Sequence, residues 1–176
     1  GDETYALIRG SAVNYDGRSQ GLTAPSGQAQ RELLVQAYQR SGIDARALEY
    51  VVAHGTGTRL GDPVEIAALN EAFAQYTGER GFCAVGSTKG NVGHSFAASG
   101  LVNLLALVQA LRHEEIPPSV HCERLSEYID WGGALYVNRV LRPWPRRATP
   151  RLGALSAFGI SGTNAHVVIE EAPPGR

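Results

Sequence analysis

The chain has 176 residues, enough for one domain with its own core, and 43% of them are hydrophobic, as in ordinary globular proteins. Sixteen basic side chains against seventeen acidic ones leave a formal charge of -1, which excludes a global field steering the chain to nucleic acid or an anionic membrane. The two cysteines, Cys83 and Cys122, stand in no C-x-x-C or Cys/His ligand spacing, so neither a disulfide scaffold nor a metal site is expected, and a reducing cytoplasm is the natural compartment.

Gly1-Asp2-Glu3-Thr4 carries no basic region ahead of an apolar run, so no signal peptide is read there. Residues 5–14 have strand character, and residues 15–27 form a polar, glycine-rich loop. A helix follows over residues 28–41, with Leu33, Leu34, Ala37 and Tyr38 at helical spacing and Gly42 as its stop. Residues 50–53 form a short apolar strand that runs into His54-Gly55-Thr56-Gly57-Thr58. Asp62 then caps a helix, Pro63 suits its first turn, and Glu65 completes a variant capping box; the helix extends to about residue 76.

Residues 83–85 are a second buried strand, followed by the loop Gly86-Ser87-Thr88-Lys89-Gly90-Asn91-Val92-Gly93-His94. An apolar helix starts at Ser95 and is stopped by Pro117-Pro118. Its longest apolar stretch, residues 96–111, is interrupted by Ser99, Asn103 and Gln109 and falls short of the ~20 residues of a membrane span. Residues 119–144 give short strands and loops, and residues 152–155 and 165–169 give two strands flanking the turn Phe158-Gly159-Ile160-Ser161-Gly162-Thr163. Strands and helices alternate through the middle, which predicts α/β layering around a covered sheet.

Each glycine-rich loop follows a strand, where open α/β sheets place their sites. In the first, two glycines permit close backbone approach, the Thr56 and Thr58 hydroxyls can hold an amide or a phosphate, and His54 points into the same space. In the second, His94 precedes a helix whose dipole disfavours imidazolium, and the charge of Lys89 acts in the same direction. A neutral imidazole of that kind can donate N–H to a developing oxyanion. In the third, turn N–H groups can form half an oxyanion hole. Each loop also has a plain structural reading when taken alone.

Gly55, Gly57 and Gly61 approach a dinucleotide fingerprint, but the Asp62 carboxylate would occupy the helix N-terminus that a pyrophosphate needs. Cys83 reads as an inert core thiol, His113 as a helix-end decoration and His166 as a structural histidine. Arg142, Arg146, Arg147 and Arg151 read as a solvated loop that an acidic partner can touch.

Together, and in this order, the segments Ala53-His54-Gly55-Thr56-Gly57-Thr58-Arg59-Leu60-Gly61-Asp62-Pro63, Gly86 through His94, and Ser156-Ala157-Phe158-Gly159-Ile160-Ser161-Gly162-Thr163-Asn164-Ala165-His166 resemble the ketosynthase domain of modular polyketide synthases and related fatty acid synthases. Asn14-Tyr15-Asp16-Gly17, Gly21-Leu22-Thr23-Ala24-Pro25 and Arg142-Pro143-Trp144-Pro145 resemble it too, so the likeness covers nearly the whole chain. The resemblance implies a layered αβαβα thiolase fold made of two similar halves, normally a homodimer. Residues 1–27 would then be the strand and loop from the junction of the halves, 28–170 the C-terminal half, and 171–176 the start of a linker.

The resemblance also implies a reaction. A cysteine thiolate accepts an acyl chain from an acyl carrier protein, a malonyl-type extender loses carbon dioxide, and the resulting carbanion attacks the acyl thioester. By similarity His54 and His94 hold the extender's thioester oxygen and Lys89 organises the site. Thr56 and Thr58 bond the phosphopantetheine arm of the carrier protein, and the Ile160 N–H contributes to the oxyanion hole. No cofactor of the chain's own is implied. The family's nucleophile motif is absent, which assigns the cysteine to a preceding half, and an often acidic position is Val52 here. A non-catalytic module for carrier-protein docking or dimerisation is the alternative reading.

Overall fold

Strand β2 (Leu48–Val52) runs through the centre of the molecule, and its side chains alternate between two apolar cores. Val51 points into one core and Tyr50 and Val52 into the other, as the two-residue period of a strand requires. A computed structural model describes residues 3–19, 21 and 24–173. In it β2 lies parallel to β7 (Leu152–Phe158) on one side and to β3 (Cys83–Gly86) on the other, with β5 (Leu135–Val137) parallel beyond β3. The antiparallel hairpin of β7 and β8 (Thr163–Glu171) carries β1 (Ala6–Tyr15) at its outer edge, which gives one six-stranded sheet in the order β1-β8-β7-β2-β3-β5. Two short strands, β4 (Glu115–Ile116) and β6 (Arg142–Pro143), pair separately.

Helices cover both faces. Leu34 and Tyr38 of α1 (Gly27–Ser41) share one core with Ile66, Leu69 and Phe73 of α2 (Gly61–Phe73). Leu107 and Leu111 of α4 (Ser99–His113) fill the other core with Trp144. The single turn α3 (Lys89–Val92) lies in the loop after β3. Helix α1 matches its expected bounds to one residue because its signals are local: the Ser26 side chain accepts from the Ala29 N–H, and Gly42 takes φ 62 at the C-cap. No described helix is long and apolar enough to cross a membrane.

Three expectations are corrected. Helix α2 begins at Gly61, with Leu60 at the N-cap and no side-chain cap; the Asp62 carboxylate instead accepts from the Gly57 N–H at 3.0 Å, and Glu65 turns away from any capping box. The apolar helix does not start at Ser95: residues 96–98 make a tighter turn and α4 opens at Ser99. Arg151 is not part of a solvated loop. It is 1% exposed, bonded through Nε to Glu171 at 2.6 Å, with its other nitrogens on the Trp144 and Leu111 carbonyls. Glu171 itself ends β8 and is buried, while 174–176 of the expected linker and Leu22-Thr23 of the quoted motif lie outside the described residues.

Candidate active site

The loops after β2, β3 and β7 meet at the ends of these strands. Beyond β2 the chain turns through Gly55 (φ +48), where a Cβ would stand 2.7 Å from the Ser87 Cβ. That close approach requires glycine on both steric and conformational grounds. The turn is held from below by Glu65. Its buried carboxylate accepts from the His54 N–H at 2.7 Å and the Gly55 N–H at 2.9 Å, while the Ser87 hydroxyl donates to the Gly55 carbonyl at 3.0 Å. Burial pushes the Glu65 carboxyl up to about 7, opposed by the two N–H groups that favour its charge. Lys89 Nζ donates to the His54 carbonyl, so the first and second loops are tied together at His54. Burial also lowers the Lys89 ammonium, against the attraction of Glu65 and Asp62.

His54 and His94 come together with ring centroids 5.5 Å apart and planes at 78°. The Phe158 N–H donates to His54 Nδ1 at 3.2 Å, which reserves that nitrogen's lone pair and puts the proton of the neutral ring on Nε2. The same logic fixes His94: its Nδ1 accepts from the Phe96 N–H at 3.1 Å and faces the Ser99 hydroxyl at 2.9 Å. Both imidazoles therefore present Nε2–H, and neither Nε2 is bonded to any described residue. Burial first, then Lys89 and His94, lowers His54 to about 4, so this ring is neutral at physiological pH. The helix-dipole account of His94 is replaced by these direct bonds. Helix α4 starts five residues later, beyond the reach of a dipole that fades within one turn.

The third loop is braced by the end of β1. Asn164 Nδ2 donates to Asp16 Oδ1 at 2.7 Å, and the Asp16 N–H donates to the Gly162 carbonyl at 2.8 Å. Phe158 lays its ring 5.4 Å from that of His54, and Ile160 sits two residues on, 82% exposed at the turn. Thr56 and Thr58 lie with hydroxyls 3.4 Å apart; the Thr58 oxygen accepts from the Gly61 N–H at 2.9 Å, which leaves its own proton to donate. His54 thus joins Lys89, through its carbonyl, and His94, through its ring. Phe96 in the turn before α4, and Leu101 and Leu105 on α4, add exposed apolar surface.

Several residues here were not singled out from the sequence: Glu65 as the loop clamp, Ser99 and Phe96 against His94, and buried Asn103 beneath the loops. Other expectations hold. Cys83 is buried and its thiol is pushed well up by burial, and His166 is fully buried against Ser156 Oγ at 2.9 Å. Val52 is also fully buried, within a predominantly apolar cluster with Leu107, Leu155 and Ile169.

Burial lowers His166 to about 3 from an ordinary value of 6.5, and His54 shifts in the same direction. The unfolded chain then binds more protons between these limits, so stability is present above pH 6.5 and is lost as pH falls toward 3. Thermal unfolding followed from pH 7 to pH 4 should show a falling midpoint, and His166→Gln should flatten that slope. An unchanged slope would remove His166 as the source.

The family model for the beta-ketoacyl synthase C-terminal domain matches residues 5–123, more than half of the chain. Polyketide synthase ThaG of Burkholderia thailandensis is 58% identical over 177 residues, covering 100% of this chain and 3% of its own length. Erythronolide synthase EryA3 of Saccharopolyspora erythraea is 47% identical over 174 residues, covering 98% of this chain and 6% of its own. Among solved structures, the ketosynthase from module 6 of the bacillaene synthase of Bacillus subtilis 168 superposes with a TM-score of 0.96 at 40% identity, over 99% of this chain and 31% of that one. The layered thiolase-like architecture expected from the motifs is the architecture of that neighbour. The chain spans only a small part of the curated synthases it matches, and it belongs to the beta-ketoacyl synthase family as a C-terminal domain.

Proposed function

We propose that this chain supplies the decarboxylating side of a polyketide synthase ketosynthase centre. The observation that carries the reading is the pair of rings 5.5 Å apart, each held by a donor on Nδ1 so that Nε2–H is free to donate. The substrate is a malonyl-type thioester on the phosphopantetheine arm of an acyl carrier protein, with Thr56 and Thr58 placed to bond that arm. The bond from Cα to the carboxylate breaks, carbon dioxide leaves, and the electron pair spreads onto the thioester oxygen. Two neutral N–H donors aimed at that oxygen stabilise charge that exists only as the reaction proceeds, and this lowers the barrier instead of merely tightening binding.

The enolate carbon then attacks an acyl group carried as a thioester on a cysteine from the preceding half of the domain. The tetrahedral oxyanion is received by the Ile160 N–H, and collapse expels the cysteine thiolate. Cys83 is no candidate for that nucleophile, because a buried thiol held in its protonated form is inert. Lys89, fixed on the His54 carbonyl, keeps a positive charge beside the ring that must stay neutral. The exposed Phe96, Leu101 and Leu105 are the surface that the preceding half would cover, and pairing of complete domains as homodimers in the cytoplasm completes the reading. A module that only docks carrier protein would need none of this polar convergence.

The test is decarboxylation of a malonyl thioester by the complete synthase, measured apart from acyl loading. Decarboxylation should be lost on His94→Ala with loading retained. An unchanged decarboxylation rate would remove His94 from the mechanism.

A further inference from the structure

We propose that Ser99 and Asn103, one turn apart on the buried face of α4, are positioning residues that set the two imidazoles and the oxyanion turn relative to one another. The inference rests on the catalytic reading above and extends it to residues that touch no substrate.

Asn103 is 0% exposed on a helix whose buried neighbours are otherwise mostly apolar. A buried amide is costly unless its donors and acceptor are engaged. Here they are. Nδ2 donates to the Ala53 carbonyl at 3.2 Å and to the Ser156 carbonyl at 3.0 Å, and Oδ1 accepts from the Thr88 hydroxyl at 2.6 Å. The three partners lie at the roots of the three site loops: Ala53 precedes His54, Thr88 precedes Lys89, and Ser156 lies in β7 two residues before Phe158.

The position of the amide explains its use. The last paired residues of β2 and β7 are Val52 and Leu155, and the two strands part immediately beyond them. Ala53 and Ser156 are the next residues on each strand, and their carbonyls receive the two N–H groups of Asn103 instead of a ladder partner. The side chain thus bridges the strands where they separate and fixes how far apart His54 and the Phe158 turn sit.

Ser99 performs the matching task for His94. It is 4% exposed and places Oγ 2.9 Å from Nδ1, on the nitrogen that also receives the Phe96 N–H. Phe96 reaches that nitrogen with φ 48, an unusual conformation for an aromatic residue, and stacks its ring on His94 at 5.0 Å and 14°. Positions four apart on a helix share a face, so one rigid element orients His94 through Ser99 and supports His54 through Asn103. Catalysis by two donors on one oxygen is sensitive to displacements on the order of 1 Å.

The complete synthase should be assayed with Ser99→Ala, Ser99→Thr, Thr88→Val, Thr88→Ser, Asn103→Leu and His94→Ala, recording kcat and KM for malonyl-thioester decarboxylation, acyl loading and thermal melting. Ser99→Ala should lower kcat for decarboxylation about 10-fold with KM and loading little changed, and Ser99→Thr should restore most of it. Thr88→Val should reduce kcat by several-fold and Thr88→Ser should restore it. Asn103→Leu should impair decarboxylation and loading together, since it releases both β2 and β7. If Asn103→Leu does not fold, the Ser99 and Thr88 pairs decide the matter. Wild-type kcat in Ser99→Ala and Thr88→Val, with His94→Ala inactive, would overturn the positioning role and leave the catalytic reading standing. Activity in Ser99→Thr as low as in Ser99→Ala would overturn it as well. Retained decarboxylation in His94→Ala would remove the catalytic reading itself.

Discussion

His54→Ala is expected to lower malonyl decarboxylation by about 10²–10³-fold, the usual effect of removing one preorganised oxyanion donor. It should differ from His94→Ala in a second respect. His54 Nδ1 is the acceptor for the Phe158 N–H, and Phe158 begins the turn that carries Ile160. Alanine at His54 leaves that N–H without its partner and loosens the oxyanion turn, so acyl loading should also fall by several-fold. His94 makes its Nδ1 bonds only with Phe96, in the turn before α4, and Ser99, at the start of α4, and its loss should leave loading intact. Separate assays of loading and decarboxylation check this asymmetry. Equal loading in the two variants would mean that the Phe158 bond does not support the oxyanion turn.

Arg151→Ala should be the most destabilising substitution away from the site. The guanidinium is buried, is paired with a carboxylate that is 7% exposed, and also holds the Trp144 and Leu111 carbonyls. Truncating Arg151 leaves the buried Glu171 charge with only the longer contact to the half-exposed Arg146 at 3.8 Å, a loss of up to about 3–5 kcal/mol. For a domain of this size that lowers the melting temperature by roughly 10 °C. Trp144 would suffer too, since its ring lies 5.5 Å from the guanidinium carbon and packs edge-on to Tyr50. Replacing Arg151 and Glu171 together by methionine removes the stranded charge and should recover part of the stability. Thermal unfolding of the three proteins checks the order; a loss below about 1 kcal/mol in Arg151→Ala would mean the pair is not what holds β7, β8 and α4 together.

Much of this architecture was legible because its signals are local. The helical spacing of Leu33, Leu34, Ala37 and Tyr38 and the stop at Gly42 mark α1, the apolar run at 83–85 becomes β3, and the glycine loops fall at strand ends as α/β geometry dictates. The convergence of His54, Lys89 and His94 was legible only through the order of three motifs, since nothing within any one loop distinguishes a ligand-binding turn from a tight structural one. The errors came where a distant partner decides. Arg151 stands among arginines and prolines that look solvated, and its burial depends on Glu171 twenty residues on. Glu65 has capping-box spacing from Asp62, yet its carboxylate answers the orphan N–H groups of a turn ten and eleven residues earlier. A carboxylate in the first turns of a helix that follows a glycine loop can serve either end, and spacing alone does not choose. In the sequence Ser99 and Asn103 read as interruptions that argue against a membrane span, and Ser99, with Ala97, Ala98 and Gly100, as part of a small-residue surface that another backbone can approach closely. The separation of Ser99 and Asn103 by four residues on an otherwise apolar helix was the available sign of a buried polar face.

The pairing of β1 with β8 has a consequence for synthesis. Ala6 lies opposite Glu171, so β1 waits for β8 before it gains this neighbour. During translation the ribosome must deliver β2, β3, β5 and β7 before β1 can be zipped onto the sheet, and loop closure over that distance is slow. Until β8 emerges, the edge of β1 that it will cover lacks this partner, and a chaperone has its longest opportunity to bind there.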